Sequence, residues 1–192
     1  MEERVGEAFA QGEHLTVIGR KLQLGEVAPD FLLDYVGLID MSIYQACLAD
    51  SAGTVRIFSI VNSLDMPACC LQTLRWEQLR SALPSDVNLY TISMDLPHAQ
   101  VHWQIQEAVL HQALSAHRSE QFGKDYGVLL KEWRMLQRAV FVLNRDDIIV
   151  YAEYVDDQQS EPNYQAALEA VSRLIYPLRK EDTAYMVERQ ER

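Results

Sequence analysis

The sequence predicts an α/β protein, a central mixed β-sheet flanked by helices, with a β-hairpin at its N-terminal end. Three observations carry that reading. Residues 55–61 (Val-Arg-Ile-Phe-Ser-Ile-Val) and 87–93 (Val-Asn-Leu-Tyr-Thr-Ile-Ser) have the β-branched, nearly continuous apolar character of buried central strands. Each is followed by a helical candidate, one with Pro67 in its first turn and one starting after Pro97. Residues 136–144 and 148–155 flank the short polar turn Arg145-Asp146-Asp147 and read as an antiparallel hairpin.

Taken in order, residues 5–10 and 15–18 are short strands around Gln11-Gly12-Glu13, a hairpin extension over 1–19. A turn at residues 25–30 leads into apolar segments at Phe31-Leu32-Leu33 and around Leu38-Ile39. The helix after residue 61 has Ser63 and Asp65 as candidate N-caps and runs through Leu71, Leu74 and Trp76 to about Leu83, before Pro84. The second helix covers about 98–111. The last, over 162–175, places Tyr164, Ala167, Leu168, Val171 and Ile175 at helical spacing. A charged tail, 179–192, reads as a solvated end. The order βαβ followed by ββα is that of a thioredoxin-like core, and 192 residues at 48% hydrophobic suffice for one domain over 1–192.

Composition excludes several functions. A formal net charge of -11 is wrong for gripping a phosphate backbone, so nucleic acid is not expected as a partner. No stretch approaches the roughly 20 apolar residues of a membrane helix, so the expectation is a soluble, cytoplasmic protein without a membrane partner. Cys47, Cys69 and Cys70 are too few for a secreted disulfide framework and act in packing or reactivity. His98 and His102 stand four apart, but no further ligands accompany them. Neither a metal nor another cofactor is expected.

Four segments, in order, carry a resemblance. They are Ser93-Met94-Asp95-Leu96-Pro97-His98-Ala99-Gln100; Leu114-Ser115 with Phe122-Gly123-Lys124-Asp125-Tyr126-Gly127-Val128; Arg138-Ala139-Val140-Phe141-Val142; and Glu161-Pro162-Asn163-Tyr164-Gln165-Ala166-Ala167-Leu168. Together, over roughly 5–174, the chain resembles the bacterial thiol peroxidases, the atypical two-cysteine branch of the peroxiredoxins. The family's Pro-x-x-x-Thr-x-x-Cys motif corresponds to Asn62-Ser63-Leu64-Asp65-Met66-Pro67-Ala68-Cys69. Ser63, Asp65 and Cys69 match its form; Asn62 stands in place of the proline and Met66 in place of the threonine. The resolving cysteine's position is held by Gln104, which excludes intramolecular resolution by that route.

The resemblance implies that Cys69 is the peroxidatic nucleophile and that Arg138 stabilises its thiolate, with Cys70, Asn62, Ser63 and Met66 as further members of the active-site loop. Peroxide reduction needs the thiolate, which unpaired first-turn amides, the helix dipole and Arg138 would favour. Met66 donates no hydrogen bond, and losing one such donor costs on the order of 100-fold in rate. Asn62 could hydrogen-bond to substrate through its amide, and Ser63 offers a hydroxyl elsewhere in the loop. Cys70 could condense with a Cys69 sulfenic acid, but a vicinal disulfide is strained, and packing as a small hydrophobe is the favoured role for it and for Cys47. Trp76 and Trp103 read as core or interface aromatics, and Arg118 as an unpaired surface residue.

Two functions follow. One is a one-cysteine-type thiol peroxidase that takes hydrogen peroxide or alkyl hydroperoxides and an external thiol reductant such as thioredoxin. The other is an impaired peroxiredoxin-fold protein serving as a redox-sensing or binding dimer. A homodimer is implied by the resemblance alone.

Overall fold

The computed structural model describes residues 1–176. Glu3–Ala10 (β1) and Glu13–Ile18 (β2) pair antiparallel across a turn in which Gln11 and Gly12 both take positive φ. Leu33–Val36 (β3) and Ile43–Ala46 (β4) form a second hairpin. The apolar segment expected around Leu38 and Ile39 is its tip, where Ile39 is fully exposed. Val55–Ile60 (β5), Pro67–Arg80 (α1), Val87–Ser93 (β6) and Pro97–Glu107 (α2) follow as expected in type and order. Gln112–Ser115 (β7), Gln121–Asp125 (α3) and Leu129–Leu130 (β8) occupy stretches too short to carry a periodic signal. Met135–Leu136 (β9), Ala139–Leu143 (β10), Ile149–Tyr154 (β11) and Tyr164–Ile175 (α4) complete the described residues. The tail at 179–192 lies outside them.

Two sheets result. The larger runs β11-β10-β5-β6-β7-β3-β4, parallel across β5, β6 and β7; the smaller runs β1-β2-β8-β9 and is antiparallel. Strand alternation divides the core between the two faces of the larger sheet. Val55 and Ile57 of β5, Val87 and Leu89 of β6, and Val140 and Val142 of β10 meet Trp76 of α1 and Tyr164, Ala167 and Val171 of α4. The intervening Phe58, Ile60, Ile92, Phe141 and Leu143 meet Phe122 and Tyr126 on the other face. β5 is covered on both sides and buried at every position, so its two polar residues must be partnered: Arg56 donates to the Ser51 and Asn144 carbonyls and pairs with Asp147, and Ser59 Oγ accepts from Gln72.

Several boundaries differ from expectation for identifiable reasons. The first helix is capped by Met66 without a side-chain hydrogen bond, not by Ser63 or Asp65, and it ends at Arg80 rather than Leu83. Ser63 lies three residues before the cap position, where its hydroxyl donates to Asp95 (2.7 Å) and accepts from the Asp65 amide (3.3 Å). The second helix stops at Ala108, which takes φ 55, so His111 lies beyond it and is buried. The strand expected over 136–144 is broken at Gln137-Arg138: Leu136 belongs to the small sheet and Ala139 to the large one. That crossing aims the Arg138 side chain at the end of α1. The hairpin extension is held where Gly19 and Gly127, both at positive φ, face the backbone of Lys124 and Arg20 too closely for any Cβ.

Candidate active site

In a parallel sheet, the C-terminal strand ends and the helix N-termini after them form one edge, and here β5 delivers the chain to that edge at Val61-Asn62. The loop of residues 62–66 is fastened by Asp95, at the end of β6. Its carboxylate accepts from the Ser63 hydroxyl (2.7 Å), the Leu64 amide (2.8 Å) and the Ser93 hydroxyl (2.7 Å). Gln100 of α2 extends the bracing by donating to Ser93 Oγ (2.9 Å) and the Leu114 carbonyl (3.0 Å). Ser63 is therefore part of a scaffold and not a free hydroxyl.

Cys69 stands in the first turn of α1, where Pro67 has no N–H to leave unpaired. The Cys69 and Cys70 amides both donate to the Met66 carbonyl (2.9 Å each), so neither is open beside the sulfur. The expectation of unpaired amides fails for these two residues, and the guanidinium is the charged neighbour that matters. Arg138 Nη2 donates to Cys69 Sγ (3.3 Å) and to the Gln158 carbonyl (3.0 Å); Nη1 donates to Gln72 Oε1 (2.7 Å) and the Ala68 carbonyl (3.1 Å). Arg138 is fully buried and its Nε has no partner. Among the described residues no carboxylate lies within bonding reach of it. Its acceptors are neutral carbonyls and one sulfur.

The asparagine in the proline's place has a determined orientation. Asn62 Nδ2 donates to the Leu136 carbonyl (2.7 Å) and to Gln158 Oε1 (2.9 Å), which uses both amide hydrogens. Its Oδ1 consequently faces Cys69 Sγ at 3.6 Å, placed to accept from a thiol. Gln158 is itself oriented without ambiguity, because Nε2 donates to the Val155 (2.6 Å) and Asp156 (3.1 Å) carbonyls while Oε1 also accepts from the Arg138 amide (2.8 Å). Gln72 is held likewise, donating to Ser59 Oγ (2.8 Å). Sequence reading missed both glutamines. Gln72 follows Cys69 by one helical turn and Gln158 lies 20 residues beyond Arg138, but neither falls in a recognisable motif and glutamine carries no chemical signature of its own.

Cys69 has no exposed surface; Val61 and Leu64 enclose it, with Met66 and Trp103 packed against them. Trp103 thus borders the Cys69 cluster, whereas Trp76 is a core residue packed edge-on to Tyr164 at 5.1 Å. Cys70 is half-buried, and burial, then Glu107, then Cys69 push its thiol up, which keeps it protonated. Cys47 is also half-buried and lines a cavity of about 580 Å³ with Phe31, Leu33 and Phe122. His98 and His102 are exposed on α2. Arg118, expected to be unpaired, forms an ion pair with the buried carboxylate of Asp34.

A family model described as Redoxin matches residues 23–168. The thiol peroxidase of Bacillus subtilis (strain 168) is 38% identical over 172 residues, which cover 89% of this chain and 99% of the relative. That of Streptococcus parasanguinis is 43% identical over 164 residues, covering 85% and 96%. Among solved structures, a peroxiredoxin-like protein from Aquifex aeolicus matches with a TM-score of 0.76 at 25% identity, covering 88% of this chain and 98% of its own. A thiol peroxidase from Chromobacterium violaceum matches in fold with a TM-score of 0.77 at 21% identity, covering 90% and 98%.

Proposed function

The chain belongs to the thiol peroxidases of the redoxin family, whose chemistry is thiol-dependent reduction of peroxides, and we propose that Cys69 is the sulfur that peroxide oxidises and Arg138 the residue that charges it. The observation carrying this reading is the buried guanidinium without a carboxylate. Isolating a charge from water costs several kcal/mol unless an opposite charge answers it, and of the groups that Arg138 touches only Cys69 can ionise.

The thiolate attacks a terminal peroxide oxygen, the O–O bond breaks, and the sulfur becomes a sulfenic acid while the departing oxygen leaves, with a proton, as water or an alcohol. An external thiol then condenses with the sulfenic acid, expelling water and forming a mixed disulfide. A second thiol releases Cys69 and carries away the new disulfide. Gln104 occupies α2 where a resolving cysteine would stand, and Cys70 is held protonated, so the cycle is of one-cysteine type with the reductant, such as thioredoxin, supplied from outside. Because Sγ is enclosed, peroxide must displace part of its cover, and the partly buried Met66 and Trp103 packed against the Cys69 cluster are the side chains we assign to that movement. A homodimer completes the reading, checked by the mass in solution.

Stopped-flow oxidation by hydrogen peroxide and an alkyl hydroperoxide tests the reading, with Cys69→Ser as control. The expected result is a rate well above that of free cysteine and abolished by the substitution. A rate equal to that of free cysteine and indifferent to Cys69→Ser would instead favour a redox-sensing or binding protein, the reading supported by the sealed sulfur and by the absence of a donor at Met66.

A further inference from the structure

Among the described residues Cys69 Sγ hydrogen-bonds to two side chains, Arg138 and Asn62, and the fold gives Asn62 a single orientation. Both of its amide hydrogens are engaged by Leu136 O and Gln158 Oε1, so it presents only a carbonyl oxygen to Cys69 Sγ, at 3.6 Å. It therefore cannot donate to a peroxide without breaking this network, contrary to what its amide alone would suggest. A carbonyl oxygen accepts from S–H and repels S⁻.

We propose that Asn62 sets the protonation balance of Cys69: it favours the thiol, opposing Arg138, and Gln158 is the positioning residue that keeps its oxygen turned toward the sulfur. This deepens the assignment of Cys69 as the reacting sulfur and rests on it. The two effects differ in size. A full charge beside the sulfur in a buried site outweighs a single neutral hydrogen bond. Arg138 dominates, and Asn62 trims its effect. The same glutamine holds both opponents, since Gln158 Oε1 accepts from the Arg138 amide and Gln158 O from its guanidinium. Neither can be reoriented without disturbing the other.

Alkylation of Cys69 by iodoacetamide, followed by site-resolved mass spectrometry from about pH 4 to pH 10, tests this without peroxide, so its outcome is separable from that of the peroxidase assay. Asn62→Ala should move the midpoint of the pH–rate profile down by about half a unit, the size expected of one weak hydrogen bond. Gln158→Leu should move it in the same direction by less. Asn62→Asp, which loses both donated bonds and places a negative charge beside the sulfur, should move it up. A role in packing or access alone would change the plateau rate at high pH and leave the midpoint in place. An unmoved or raised midpoint in folded Asn62→Ala overturns the proposal. Should that variant not fold, an unmoved or lowered midpoint in Asn62→Asp does the same.

Discussion

Arg138 and Met66 act on opposite sides of the same reaction coordinate. On the proposed assignment the guanidinium that donates to Cys69 Sγ answers charge on the sulfur, whereas the threonine hydroxyl that Met66 replaces would have met the charge that moves onto the peroxide during O–O cleavage. Arg138→Met should therefore lower the rate of Cys69 oxidation by about 10- to 100-fold, the worth of a hydrogen bond to a charged group, in stopped-flow experiments at neutral pH. It should also destabilise the fold, because Gln72 and the Ala68 and Gln158 carbonyls lose their donor. Met66→Thr should do the reverse to the chemistry, raising the peroxide rate by about tenfold or more. It supplies a donor and removes apolar bulk packed near a sealed sulfur. A Met66→Ala control distinguishes the two contributions, since it opens the cover without adding a hydroxyl.

Helices α1 and α2 are joined through a residue that belongs to neither. His111 follows α2, and its ring Nδ1 and backbone amide both meet the Glu77 carboxylate of α1 (2.6 and 3.0 Å), while its carbonyl accepts from Gln104 of α2 (2.7 Å) and Nε2 bonds Thr91 of β6 (2.8 Å). Burial works against the charge of Glu77, but hydrogen bonds from His111 and Arg80 outweigh it and hold the carboxyl well below the usual glutamate range. A depressed carboxyl stabilises the fold above the unfolded value, about pH 4.3, and that contribution is lost as pH falls toward the folded value. Denaturant titrations should show Glu77→Gln to be less stable than the parent at pH 7, with the gap constant down to about pH 5 and narrowing steadily as pH falls below about 4. The hairpin junction is equally local in cause: Gly127→Ala should lower the melting temperature by several degrees, because its added methyl meets Arg20 O at a positive φ.

Across the whole molecule, the route by which oxidised Cys69 is reduced depends on what faces α1 from elsewhere in the fold. Gln104 is buried and tied to the chain beyond α2, and Cys47 lies on a cavity wall apart from the Cys69 cluster. One equivalent of peroxide, added without reductant, should accordingly leave a dimedone-reactive sulfenic acid at Cys69, visible by mass spectrometry. A protein-wide intramolecular disulfide as the main product would contradict the one-cysteine assignment.

The pattern of β-branched runs, proline-led helices and polar turns was enough to recover the α/β class and the order of the main elements, because burial on both faces of a central strand and on one face of a helix leaves a periodic trace in a short window. The ordered motifs likewise pointed to Cys69 and Arg138. What no window contains is the meeting of residues 62, 72, 136, 138 and 158. Whether Asn62 offers its nitrogen or its oxygen to Cys69 depends on Leu136 and Gln158, brought there by a strand crossing between two sheets. An amide is donor and acceptor in equal measure until its neighbours choose, and those neighbours are 74 and 96 residues away along the chain.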